Sequence, residues 1–246
     1  MNILVCISKT PDTTARISFK NGDTEYNSDG ISYIMNPYDE WYALVRALEI
    51  TEKEGGNVTV INVGPAANDI IIRKALAIGA HDAIRVDTQS ESAYVVASNI
   101  AEVAKSKNFD MIFTGKETIE YNGSEVGAMI SELLDLPYIS YATKLEVENG
   151  INTITRDIEG GVEVCEISGS FVLSAAKGLA EQRIPNMRGI MMAKSKPLVV
   201  VSPVDIKDRV ATQKFILPQP KSGVKLIDPE NMDELVRLLH EEAKVI

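Results

Sequence analysis

The chain has few of the residues that most often announce chemistry. Its 246 residues include two cysteines, two histidines and one tryptophan. Cys6 and Cys165 each lie in an apolar β-like run without a CxxC neighbour, which excludes a dithiol redox motif and reads as two buried free thiols in a reducing cytoplasm. His81 follows a helix stop and His240 falls in the last helical pattern, neither beside a Ser or Cys nucleophile motif. No HExxH, EF-hand or Cys/His zinc spacing occurs, so no metal site is expected. GxxxxGK[ST] and GxGxxG are both missing, which argues against a triphosphate loop and against an NAD-type domain. No apolar run reaches roughly 18 residues, and the start MNILVCISKTPDTT is too short in its apolar part for a signal peptide. Positive charge is scarce: 25 Lys and Arg face 35 Asp and Glu, a net charge of −10. That balance argues against nucleic acid or an anionic membrane as main partner, and is also an ordinary means of staying soluble.

What is present is a core and a rhythm. Hydrophobic residues make up 45% and charged residues 24%, enough for one large α/β domain or a domain with an extension. Ile3–Ile7, Asn57–Val63, Ala83–Val86 and Met111–Phe113 read as buried strands. Between them, helical patterns open at Asn36-Pro37, Asn68, Ala93 and Glu125. Asn36 suits the cap of the first helix and Pro37 its first turn. This order predicts an α/β fold with a doubly wound, mostly parallel sheet, whose ligands sit outside the carboxyl ends of the strands. After Pro137 the pattern turns to hairpins, at Asn149-Gly150 and Gly160-Gly161, then an apolar strand Leu198–Val201. Residues 1–205 read as the nucleotide-binding-like domain, and 206–246 as a C-terminal arm that needs something to lie against.

Two stretches carry candidate function. In FDMIFTGKETIEYNGSEVGAMI a strand ends at Gly115, a polar loop follows, and a helix begins near Glu125. Such a passage gathers free backbone N–H groups and the positive end of a helix, a setting for a phosphate. Asn122, Ser124 and the amides of Gly123 to Val126 are the candidate donors, with Thr118 in the same loop. Glu125 opposes a phosphate unless its side chain turns away, and Lys116 is the one cation close in sequence, so a monophosphate is easier to accept than a triphosphate. The second stretch, Arg183-Ile184-Pro185-Asn186-Met187-Arg188-Gly189-Ile190-Met191-Met192, mixes adaptable Met side chains with cations. It reads either as an amphipathic cover for the core or as an exposed docking loop.

The chain resembles the beta subunit of electron transfer flavoprotein over almost its whole length. The likeness rests on LVCISKTPDTTARI, MNPYDEWYALVRALE, VINVGPA, IRKALAIGAHDAIRV, TGKETIEYNGSEVGAMISELLDLPYIS, TRDIEGGVEV and RIPNMRGIMMAKSKP, in that order. The resemblance implies an adenine nucleotide alpha hydrolase-like fold with added hairpins, and a subunit that is an electron carrier component rather than an enzyme. It implies a heterodimer with an alpha subunit that holds most of the FAD, while the beta subunit shelters the flavin and binds AMP. Carried over position by position, AMP contacts fall on Cys6, Asn36, Pro37, Tyr38, Asp39, Val63, Gly115, Thr118, Asn122, Gly123, Ser124, Glu125 and Val126. Arg183, Ile184, Pro185, Asn186, Met187, Arg188, Ile190 and Met191 match the family's recognition loop, which docks acyl-CoA or other dehydrogenases feeding the respiratory chain. The anchor position is Met187, where leucine is usual. Asp157 matches a carboxylate near the alpha subunit. Glu125 replaces a common Gln and Val126 a Thr, so one phosphate-binding hydroxyl is lost. Two other readings stay open: a bifurcating member with a second FAD here, which Val126-Gly127 favours and Glu120-Tyr121-Asn122-Gly123 does not, and a stand-alone nucleotide-binding signalling domain.

Overall fold

The N-terminal apolar run lies in the middle of a sheet because both of its faces are apolar. Ile3, Val5 and Ile7 enter one core cluster, and Leu4 and Cys6 enter the other, as alternating side chains on a doubly covered strand must. The computed structural model describes residues 1–89, 92–220 and 223–246. In chain order the strands and helices are β1 Asn2–Cys6, β2 Lys9–Pro11, β3 Phe19–Lys20, β4 Glu25–Tyr26, β5 Tyr33–Met35, α1 Asp39–Glu54, β6 Asn57–Val63, α2 Asp69–Ile78, β7 Asp82–Val86, α3 Ala93–Lys105, β8 Met111–Gly115 and α4 Val126–Leu134. There follow β9 Tyr138–Glu148, β10 Ile151–Ile158, β11 Gly161–Ile167, β12 Phe171–Ala175, α5 Met187–Ala193, β13 Leu198–Val201 and α6 Met232–Arg237.

The nine-stranded sheet runs β11-β10-β9-β12-β8-β1-β6-β7-β13. Seven neighbours, β9 to β13 in that order, are parallel, and β10 and β11 extend one edge as antiparallel hairpins. The β9–β10 turn is Asn149-Gly150, with φ of 51° and 79°, the two left-handed residues that a two-residue hairpin requires. Helices α1 and α2 supply one apolar layer, through Leu44, Leu48, Ile72 and Leu76, and α3 and α4 the other, through Ala97, Ile100 and Ile130. The fold is therefore α/β and doubly wound, with extra hairpins. From β1 the chain steps to β6 and β7 on one side, then to β8 on the other, so the crevice at the carboxyl end of β1 is the topological switch point.

Two local expectations need correction. Asn36 does not cap α1; the helix begins at Asp39 after Tyr38, which has a φ of 64°. The side chain of Asn36 is drawn into the molecule instead, donating to Ser8 Oγ and Glu120 Oε2. Cys165 is half-buried rather than buried, because β11 is an edge strand, whereas Cys6 is buried; both thiols are free.

The chain divides into two compact units. One comprises residues 1–17 and 27–213 and contains the large sheet; the other comprises 18–26 and 214–246. Within the second, Phe215 stacks on Phe19 at 4.6 Å and its N–H donates to Asp23 O, while Arg237 on α6 pairs with Glu234 and Glu241.

Candidate functional site

The loops after β1, β6 and β8 meet at the switch point and enclose a cavity of about 510 Å³, a size usual for a small-molecule site. Cys6, Val63, Gly115, Thr118, Gly123, Ser124, Glu125 and Val126 all line it. Of the other expected contacts, Asn36 is fully buried and joins Ser8 to Glu120. Pro37 and Asn122 are not among the lining residues. Tyr38 and Asp39 face a second cavity of about 740 Å³ instead, with Tyr42, Tyr141, Asp157 and Lys177. Lys116 and Glu117 border both cavities.

The β8–α4 loop is built to hold amides outward. Asn122 and Ser124 adopt left-handed conformations, with φ of 49° and 52°. The Asn122 N–H is consumed by Thr118 O. Among the described residues, the amides of Gly123, Ser124 and Glu125 have no acceptor, and they lie just before the first turn of α4. Glu125 is exposed, and its carboxylate folds back toward Gly123. Gly127 lets α4 sit close to the sheet: a Cβ there would lie 2.9 Å from Thr114 Oγ1 and 3.0 Å from the Tyr138 ring.

Electrostatically the cavity is acidic. Glu40, Glu117, Glu120 and Glu125 line it against Lys9 and Lys116. Lys116 is already engaged, 2.8 Å from Glu117 and 3.9 Å from Asp39. Glu40 is buried in the first turn of α1; its carboxyl accepts from Ser8 N at 2.6 Å and Ser8 Oγ at 2.7 Å. Burial pushes its pKa up to about 8, against the two Ser8 bonds. Desolvation likewise pushes Asp39 up to about 6, opposed by Lys116. Glu120 keeps part of its surface in solvent, yet the protein packed around its carboxyl raises its pKa. Burial pushes the Cys6 thiol upward, with Glu40 adding to the effect, so that thiol stays protonated and unreactive.

Sequence reasoning missed Ser8, Glu40, Asn62, Asn68 and Glu120. Asn62 donates to Ile7 O and accepts from Asn68 Nδ2, while Asn68 Oδ1 is buried and has no partner among the described residues. Asn62 was hidden inside a strand pattern and Glu40 inside a helix start, where an acidic residue reads as a complement to the helix dipole. The signal was there for Asn68 alone: a buried polar residue just after Gly64-Pro65 at a strand end.

The second candidate stretch forms α5. Asn186 caps it, accepting from Gly189 N at 2.8 Å. Gly189 is pressed on α2, where any Cβ would overlap the Ala77 carbonyl oxygen. Arg73 donates to Ala193 O and Lys196 O, and Lys196 Nζ donates to the Leu76, Gly79 and Ala80 carbonyls at the end of α2. Trp41 Nε1 holds Arg183 O, and the Arg183 guanidinium pairs with both Glu52 oxygens. The outer face carries Ile184, Met187 and Met191, exposed by 84%, 75% and 70%, with Ile190 and Met192 beside them. Pro185 is half-buried and Arg188 exposed. One side of the segment thus covers the core and the other offers apolar side chains to solvent. Among the described residues no helix is long and apolar enough to cross a membrane, and no cluster of His, Cys, Asp and Glu could hold a metal.

The comparisons agree with this architecture. The electron transfer flavoprotein domain family matches residues 24–206. The electron transfer flavoprotein subunit beta of Bacillus subtilis is 34% identical over 260 residues, covering the whole of both chains. That of Syntrophomonas wolfei is 34% identical across 93% of this chain and 90% of its own, and Protein FixA of Azotobacter vinelandii is 30% identical across 95% and 92%. The relatives named as electron transfer flavoprotein subunits are electron carriers rather than enzymes. With a sheet, a switch-point cavity and full-length similarity all in agreement, the chain belongs to the electron transfer flavoprotein family, as a beta subunit.

Proposed function

We propose that this chain pairs with an electron transfer flavoprotein alpha subunit in the cytoplasm, holds AMP in the 510 Å³ cavity, and covers a FAD carried mainly by the alpha subunit. The observation that carries the AMP reading is the run of amides at Gly123, Ser124 and Glu125, which have no acceptor among the described residues and precede α4 beside a cavity of ligand size. Four carboxylates against two lysines favour one phosphate over two. The loss of a hydroxyl at Val126 leaves the backbone donors in place. Pro37 and Asn122 then act by shaping the loops, Asn36 by fixing Ser8 and Glu120, and Tyr38 and Asp39 by facing the flavin side.

The 740 Å³ cavity suits a flavin. Tyr38, half exposed and held at a φ of 64°, shares it with Tyr42, Tyr141 and Lys177; an exposed aromatic in a sparsely populated backbone conformation supports a contact surface there. The bound flavin supplies the one-electron and two-electron chemistry; this chain's side chains orient it and exclude water. Asp157 lines the same cavity, which supports an ion pair between it and the alpha subunit. Residues 183–192 dock dehydrogenases, acyl-CoA dehydrogenases among them, that deliver electrons for the respiratory chain, with Met187 as the inserted anchor.

The test is the nucleotide content of the complex. The chain is co-expressed with its alpha partner, purified and denatured, and the released nucleotides are counted by chromatography. One FAD and one AMP per heterodimer supports the reading; two FAD and no AMP replaces it with the bifurcating alternative that Val126-Gly127 favours.

A further inference from the structure

Glu40 lines the cavity with its carboxyl bonded to Ser8 through both the amide and the hydroxyl. Ser8 also lines the cavity, and its Oγ accepts from Asn36 Nδ2 at 3.1 Å. The same Asn36 amide donates to Glu120 Oε2 at 2.9 Å, and Asn36 Oδ1 accepts from Ile119 N. The network therefore ties the ends of β1, β5 and β8 around one buried carboxyl. The titratable groups facing Glu40 are Cys6 on β1, Asp39 on its own helix and Glu120 on the β8–α4 loop. None brings positive charge. Lys116 is paired with Glu117 and Asp39, and Lys9 lies over the Tyr33 ring.

We propose that Glu40 and Ser8 form a proton-linked selector of this cavity, admitting an anionic nucleotide with Glu40 protonated and rejecting it with Glu40 ionised. This rests on the AMP reading above. In the ionised state Glu40 Oε1 claims the Ser8 hydroxyl hydrogen and adds a buried negative charge to the wall. When Glu40 takes a proton from solvent, its own O–H donates to Ser8 Oγ. The Ser8 hydrogen is then released to point into the cavity, where it serves as one more donor to an anion, while Ser8 N and Asn36 Nδ2 keep their acceptors. One proton is bound at Glu40 and none is lost elsewhere, so binding of a dianion is accompanied by net proton uptake. Burial already places Glu40 near the pH where such linkage operates.

The test is calorimetric titration of AMP into the nucleotide-depleted heterodimer at pH 7.5, 8.5 and 9.5. Phosphate monoesters complete their ionisation near pH 6, so the charge of AMP is constant over this range. The wild-type affinity falls about tenfold between pH 8.5 and 9.5, and that of Glu40→Gln changes less than about twofold. Equal pH dependence in both proteins overturns the selector and assigns the slope to another group such as Lys9. A second measurement needs no variant: wild-type binding at pH 8.5 in two buffers of different ionisation enthalpy reports proton uptake, and zero uptake overturns the proposal. AMP binding to neither protein at any pH overturns the AMP reading itself, and the selector with it.

Discussion

The cavity at the strand ends and the α5 segment use their polar groups in opposite directions. Around the cavity, among the described residues, the amides of Gly123 to Glu125 have no acceptor and the Glu40 carboxyl, bonded to Ser8, has no cation. In α5 the polar ties are made within the chain: Arg73, Lys196 and Trp41 donate to carbonyls, and Asn186 caps the helix, while apolar side chains stay outside. A small-molecule site must keep donors and acceptors available, at a cost to stability. A docking surface for a protein keeps adaptable apolar anchors exposed on a support that does not move. The two regions also differ in fragility. Changes behind α5 should damage docking and spare nucleotide binding, whereas changes at Glu40 should alter pH dependence and spare docking.

The largest expected effect breaks the support of α5. Gly189→Ala forces a Cβ into the Ala77 carbonyl and should destabilise the segment by about 2–3 kcal/mol. Hydrogen exchange over 183–196 should accelerate while the nucleotide content of the complex stays constant. Next is Glu40→Gln, whose sign follows from linkage. Burial pushes the Glu40 carboxyl from its ordinary 4.5 up to about 8 in the folded state, so the folded state keeps a proton that the unfolded state loses. The stability this adds is fully present below about pH 4.5 and is lost as pH rises through 8. Glutamine does not titrate, so denaturant unfolding should show the variant gaining about 1–3 kcal/mol on wild type between pH 5 and pH 9. A constant difference would show that Glu40 is ionised throughout.

Arg73→Met removes two hydrogen bonds to the α5–β13 connection and should cost about 1–2 kcal/mol, read as a lower melting temperature with AMP content unchanged. The smallest effect on stability, below about 0.5 kcal/mol, belongs to the exposed Met187→Ala. It should nonetheless lower the rate of electron acceptance from a docked dehydrogenase by about tenfold. A melting shift with an unchanged rate would reverse the roles assigned to the two faces of α5.

Much of this was legible in sequence, and the reason is physical. β1, β6, β7 and β8 are buried on both faces, so their apolar runs are continuous, and the glycines at 55, 64 and 115 punctuate them. The hairpins declared themselves through Asn149-Gly150. The β8–α4 loop was visible as a phosphate setting because a glycine loop before a helix has backbone consequences whatever the side chains are. The site's inner wall was not legible. Glu40 and Asn62 take part through bonds to Ser8 and Ile7, more than 30 residues away in sequence, which leaves no local pattern. The Asn36 expectation failed for the same reason. Locally an Asn before Pro is a cap, but Ser8 and Glu120, brought in from distant strands, make stronger claims on its side chain. The two faces of α5 were ambiguous because the sequence alone did not say that Gly189 would meet α2.

The central claim is that the amides before α4 hold a phosphate inside this subunit. A crystal structure of the co-expressed heterodimer tests it directly. The account predicts AMP in the switch-point cavity, its phosphate within hydrogen-bonding distance of the Gly123–Val126 amides and no second phosphate beyond it. A phosphate elsewhere, or a dinucleotide threaded through the cavity, would contradict it.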